Sequence, residues 1–157
     1  EPAVLTIHAR TRKEMSKVPA QWEKVKRVVE IRNELGSNAL IIGNGDVLSV
    51  ADAHEKIAVS GADGSMLGRA IFGNPWLFHP EKDLSNVPLE ERLRVMVEHT
   101  KLFEELLHFK NFATMKKHYK AYVNGFEGAA QLRATLMEQN TAAEIEQVVH
   151  SFLQTSS

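Results

Sequence analysis

The sequence predicts an α/β unit with a parallel sheet, followed by an all-helical segment. Three observations lead there. Short apolar runs near residues 4–7, 39–42 and 64–67 alternate with stretches whose apolar residues recur at helical spacing. Glycine-bearing turns, Ile42-Gly43-Asn44-Gly45-Asp46 and Met66-Leu67-Gly68-Arg69, close the second and third runs. From Pro88 onward the helical spacing alone persists. Strands alternating with one-faced helices are joined in parallel by right-handed crossovers.

Each element has its own signal. Ala3-Val4-Leu5-Thr6-Ile7 is apolar and partly β-branched and reads as a buried strand, followed by the cationic loop His8-Ala9-Arg10-Thr11-Arg12. Pro19 precedes a helix over about residues 20–35, with Trp22, Val25, Val28, Val29 and Leu35 on one face and Gly36 as its stop. Residues 39–42 form the second buried strand. Ser49 with Asp52 three residues on has the pattern of a capping box, and that helix ends near Gly61. Residues 64–67 form the third strand. A short apolar segment, Ala70 to Phe78, is broken by Gly73 and Pro75, and residues 79–87 are polar and read as a linker. Pro88 sits where a first-turn proline belongs. Leu89, Leu93, Met96, Val97, Phe103, Leu106 and Leu107 mark a long helix. Helices over about 112–124 and 129–139 follow, and Thr141 with Glu144 caps the last one.

The 157 residues suit one domain or two small ones, with enough chain to bury a core. A formal net charge of −1 excludes a generally basic nucleic-acid binder but leaves room for a local basic patch. The absence of cysteine excludes disulfides, thiolate metal sites and a cysteine nucleophile or acid within this chain. No metal site is expected. No apolar run reaches membrane-spanning length and no signal peptide is visible, so no membrane partner is expected and the expected location is the cytoplasm. The sequence lacks an initiator Met and enters a strand at once, which suggests the C-terminal part of something longer.

Both glycine turns fall at carboxyl ends of parallel strands, where ligands of such folds sit. A phosphate needs several N–H donors converging at short range, and glycine lets the backbone come close. Arg69 adds a forked, permanent cation. Either turn alone is an ordinary turn. Together, with a cation after the second and His8 and Arg10 on the same rim, they point to an anion site.

His8-Ala9-Arg10-Thr11-Arg12, Asn44-Gly45-Asp46, and Gly68-Arg69 with Gly73-Asn74-Pro75-Trp76 resemble the C-terminal motifs of the tRNA-dihydrouridine synthases. Ala9 stands where that family usually has glycine. Phe112 to His118, Tyr122, Leu132-Arg133 and Leu136-Met137 resemble the family's helical domain, most closely its bacterial members. The resemblance implies a fold: residues 1–78 as the C-terminal part of an FMN-binding TIM (β/α)8 barrel, 79–87 as a linker, and 88–157 as a helical tRNA-binding domain. It also implies a reaction, the FMN-dependent reduction of uridine to 5,6-dihydrouridine in tRNA with NADPH as reductant. His8, Asn44, Gly45, Asp46, Gly68 and Arg69 are the cofactor-binding residues it implies. Asp46 carries the wrong charge for a phosphate ligand and is expected to act through its backbone N–H, or by orienting a loop or a neighbouring arginine.

The family's catalytic cysteine has no counterpart here, so no catalytic residue is expected within this chain. A full barrel has eight strands and roughly 250 residues. The chain is therefore expected to be an incomplete fragment or one half of a split protein, with the N-terminal barrel portion as its partner. No obligate homo-oligomer is inferred.

The helical part carries Lys110, Lys116, Lys117, His118 and Lys120, with no acid between Glu105 and Glu127. Lys116, Lys117 and Lys120 share one side of a helix by three-and-four spacing. Such a cluster suits an RNA backbone, although most charge clusters are solvated faces. With Arg10 and Arg12 these lysines are the expected RNA-binding residues. Tyr119 and Tyr122 read equally well as base-stacking or packing residues. Two rivals stand beside the enzyme: a non-catalytic RNA-binding module, and another FMN- or phosphate-binding barrel enzyme.

Overall fold

The structure is a computed structural model that describes residues 2–15 and 17–155. Among them are three parallel strands and six α-helices, in two compact units that divide between Ile71 and Phe72.

The first unit holds β1 (Val4–His8), α1 (Trp22–Glu34), β2 (Leu40–Asn44), α2 (Val50–Ser60) and β3 (Gly64–Met66). The strands pair in parallel in the order β1-β2-β3. Their register sets His8 opposite Asn44 and Asn44 opposite Met66, so the three carboxyl ends form one row. The period of two decides what each strand residue meets. Ile41 and Gly43 are buried, and Ile41 joins Val25, Val29, Ala9 and Ala62 in a small core. A Cβ on Gly43 would overlap the Trp22 ring, so glycine is what lets α1 lie close to β2. The α2 start follows its sequence signal: the Ser49 hydroxyl accepts the Asp52 N–H at 3.0 Å. The Asp52 carboxylate returns to the Leu48 N–H at 2.8 Å, one residue before the N-cap, and Gly61 ends the helix at φ +72°.

One expectation is corrected. The first strand is not buried: Val4 is 47% exposed and Leu5 40%. An apolar run reports what a strand is suited to cover, not whether anything covers it. Leu40 on β2 is likewise 48% exposed.

The second unit contains α3 (Leu89–Leu106), α4 (Ala113–Tyr122), α5 (Ala129–Glu138) and α6 (Ala142–Thr155). Leu93, Met96 and Val97 of α3, Met115, Tyr119 and Tyr122 of α4, Leu132 and Leu136 of α5, and Ile145 and Val149 of α6 close into one core. The α6 cap is reciprocal, as its sequence suggests: Glu144 N–H donates to the Thr141 hydroxyl at 3.3 Å, and Thr141 N–H to the Glu144 carboxylate at 3.0 Å. Residues 72–78 belong to this unit. Gly73, at φ +73°, sits where a Cβ would overlap the Ala121 carbonyl, and the Phe72 ring meets His118 edge-on. Within the expected linker, Leu84–Asn86 form a 3-10 turn capped by Asp83. Among the described residues no helix is long and apolar enough to cross a membrane.

Candidate anion-binding cleft

The carboxyl ends of the three strands open into a cleft of about 900 Å³. His8, Asn44, Gly45, Asp46, Gly68 and Arg69 all line it, as do Arg10 and Arg12. Sequence reading had placed the first six as one group, and the fold brings them together. Met15, Leu48 and Met66 give the cleft an apolar wall.

The turn after β2 is the centre of the site. Gly45 takes φ +129°, a conformation that L side chains avoid, and a Cβ there would lie 2.9 Å from the Ala20 Cβ. Asp46 follows at φ +49°, uncommon for any residue but glycine. Both of its carboxylate oxygens are engaged. Oδ1 accepts from Arg10 Nη2 at 2.6 Å and from Arg69 Nη2 at 2.9 Å, and Oδ2 accepts the Ala20 N–H at 2.9 Å. These bonds hold the Asp46 carboxyl below the usual carboxylate range: the Ala20 N–H contributes most, burial opposes it as the next largest effect, and Arg10 and then Arg69 add to the lowering.

The two arginines differ sharply. The Arg10 side chain is 5% exposed, and its Nη1 donates to the Val18 carbonyl at 2.8 Å. Its Nε is buried without a hydrogen-bond partner among the described residues. The Arg69 side chain is 66% exposed at the mouth of the cleft. The segment from Ala9 to Trp22 is stitched to the Gly45 turn at two further points and closes on itself at two more. Ala9 N–H donates to Asn44, Gln21 N–H donates to Ala9, the Thr11–Glu14 turn closes on itself, and the Trp22 indole N–H donates to the Gly45 carbonyl at 2.8 Å.

The expected RNA-binding residues divide by environment. Arg10 is buried and paired, so its guanidinium belongs to the cleft rather than to an exposed RNA face. Lys116 is tied down within its own unit, with Nζ donating to the Met137 carbonyl at 2.8 Å and to Asn140 at 3.3 Å, where it caps the end of α5. Lys117 and Lys120 are exposed on α4, and Arg12 is exposed on its loop. Tyr119 is fully buried and Tyr122 nearly so, which makes both packing residues; burial pushes the Tyr119 hydroxyl up to about 12.

Sequence reasoning missed Trp22, Val18 and Ala20 as parts of the site. Trp22 carried a signal, since a helix-face indole needs a partner for its N–H. The backbone donors and acceptors of Val18 and Ala20 leave no trace in residue type.

The sequence profile of the dihydrouridine synthase family (Dus) matches residues 3–157. The chain is 39% identical over 155 residues to "Probable tRNA-dihydrouridine synthase" of Staphylococcus epidermidis and 38% identical over 152 residues to that of Staphylococcus aureus. It is 34% identical over 152 residues to "Probable tRNA-dihydrouridine synthase 2" of Bacillus subtilis. Each alignment covers 96% of this chain and 46% of the relative, so the chain spans about half the length of the curated relatives it matches. With the profile matched across almost every residue, the rim motifs and the helices alike, the chain belongs to the dihydrouridine synthase family.

Proposed function

We propose that this chain supplies the flavin-phosphate and RNA-contacting parts of a tRNA-dihydrouridine synthase, an FMN-dependent oxidoreductase. It would reduce uridine to 5,6-dihydrouridine in tRNA, with NADPH as reductant. In this reading the unit up to Ile71 is the last part of a TIM barrel; the expected boundary at residue 78 moves to 71 because Phe72 and Gly73 pack on α4, and the unit from Phe72 onward holds tRNA. A cytoplasmic location goes with that substrate.

The observation that carries the reading is the row of His8, Asn44 and Met66 at the strand ends, with the Gly45–Asp46 and Gly68–Arg69 turns beside it. The residues fit the phosphate end of FMN. Gly68 lines the cleft with nothing within 4 Å of where its Cβ would be, so a ligand can approach its backbone. Arg69 presents donors at the mouth, and Arg10 Nε, buried and without a partner among the described residues, is consistent with a further polar group nearby. When bound, FMN supplies the hydride chemistry. The chain's own residues bind and orient: glycine backbone N–H groups and Arg69 hold the phosphate, and His8 and Asn44 border the space next to it. Lys117 and Lys120 meet the RNA backbone. The proton donor must come from protein outside these 157 residues, because the sequence contains no cysteine.

That same absence favours a second reading, an RNA-binding module without catalysis. Two titrations separate them: FMN followed by flavin fluorescence, and tRNA followed by filter retention. Saturable binding of both supports the synthase reading. RNA binding without FMN binding supports the module.

A further inference from the structure

Asp46 lies in the motif expected to hold phosphate, yet nothing about its carboxylate suits an anion. Both oxygens are engaged, and a second negative charge against them is unfavourable. One oxygen is shared by two arginines of opposite character, one buried and one two-thirds exposed. We propose that Asp46 is a positioning residue: it clamps Arg10 as a fixed strut and holds Arg69 as a transferable donor that an arriving phosphate monoester takes over. This rests on the anion-site reading above and reassigns the acid within it.

First, the Arg10 bonds to Asp46 and Val18 tie the Ala9–Gln21 loop to the Gly45 turn, so the acid cannot move without moving both loops. Second, Arg69 commits one amino group to Asp46, which leaves most of its five N–H donors free. A long side chain already held in place loses less rotamer freedom when a ligand arrives. Third, two arginines around one carboxylate leave one positive charge over. That excess sits at the exposed end, where the ligand enters, and it is what a phosphate meets first.

The experiment is a double-mutant cycle on the 157-residue chain with Asp46→Asn, Arg69→Met and the pair, each titrated with FMN, riboflavin and inorganic phosphate. Asparagine keeps one oxygen but turns an N–H₂ toward a donor, so it cannot serve Ala20 and both arginines. FMN affinity should fall about fivefold for Asp46→Asn. The loss should shrink once Arg69 is Met, because the acid then has no donor to aim and only its hold on Arg10 and Ala20 is left to lose. Riboflavin, which has the ring without the phosphate, should lose less than FMN in every variant. If Asp46→Asn fails to fold, Asp46→Glu runs the same cycle, with the carboxylate one methylene out of place. Unchanged or tighter FMN binding, additive losses, or an equal loss for riboflavin would each overturn the proposal. A parent chain that binds phosphate but neither flavin removes the flavin reading, and the cycle is then read with phosphate. A parent chain that binds none of the three overturns both.

Discussion

The helices from Leu89 to Thr155 close around one another, with Leu93, Met96, Tyr119, Leu136 and Ile145 sealed from solvent. The three-stranded sheet does not. Its core is a small patch around Ile41 and Val25, while Val4, Leu5, Leu40 and Met66 are each at least 40% exposed. The helical unit is therefore held mainly by packing. The sheet unit is held to a larger extent by polar ties gathered at one end: Asp46, Arg10, Ala20, Gly45 and Trp22. Stability and function overlap in the first unit and are separable in the second. Changes at the rim should disturb ligand and fold together, whereas surface changes on α4 should touch binding alone.

The largest effect expected is in the helical core. Leu93→Ala should cost about 3 kcal/mol in a urea melt of the helical unit, whereas Leu40→Ala, half exposed, should cost under about 1 kcal/mol in the sheet unit. Equal costs would dissolve the contrast. Next, Gly43→Ala forces the Trp22 ring off β2 and should cost about 2 kcal/mol, with the Trp22–Gly45 bond weakened at the same time. A neutral result would show that the rim does not depend on that packing. Third, Lys117→Glu with Lys120→Glu should weaken tRNA binding about tenfold and lower the slope of log affinity against log salt by about two, with no change in melting. Lys116→Glu should instead destabilise the end of α5.

The smallest effect is on pH dependence, and it should differ between the units. Burial holds the His99 imidazole below its usual value, and burial, His99 and Lys117 do the same for His118. Their rings lie 5.2 Å apart. A lowered folded value means the unfolded chain takes up the proton first. This contribution is whole above about pH 6.5 and is lost as pH falls below it. Asp46 follows the same sign lower down: its contribution is whole above about pH 4 and is lost as pH falls through its depressed value. Between pH 7 and 5 the helical unit should lose stability while the sheet unit holds. Urea midpoints at the two values check this, and His118→Gln should flatten the difference.

How far the sequence disclosed this depended on the kind of signal. Helix positions were legible because each helix buries one face, and Leu93, Met96 and Val97 repeat at the period that face requires. The caps at Ser49 and Thr141 were legible because the hydroxyl and acid that form them are close in sequence. The rim group from His8 to Arg69 was legible because glycine beside a polar residue at a strand end is a local pattern. Arg10 was not. Its partner is 36 positions away, and an arginine in a polar loop reads as exposed until Asp46 is seen against it. Exposure of Val4 and Leu5 was hidden for a related reason: residue type sets what a face can bury, and only the tertiary surroundings set whether it is buried. Lys116 looked like its neighbours because a C-capping role depends on where α5 ends.

Trp22 has a further use. Its indole is hydrogen-bonded to a turn that lines the cleft and is pressed against Gly43. The sequence has one other tryptophan, Trp76, in the second unit. With Trp76 replaced by Phe, Trp22 would be the single tryptophan, one hydrogen bond away from the cleft lining, and it could be excited apart from the tyrosines. Its emission would shift with the polarity of that turn, and its excitation energy would pass to any flavin bound nearby. Occupancy could then be followed optically from the protein side, with no label added.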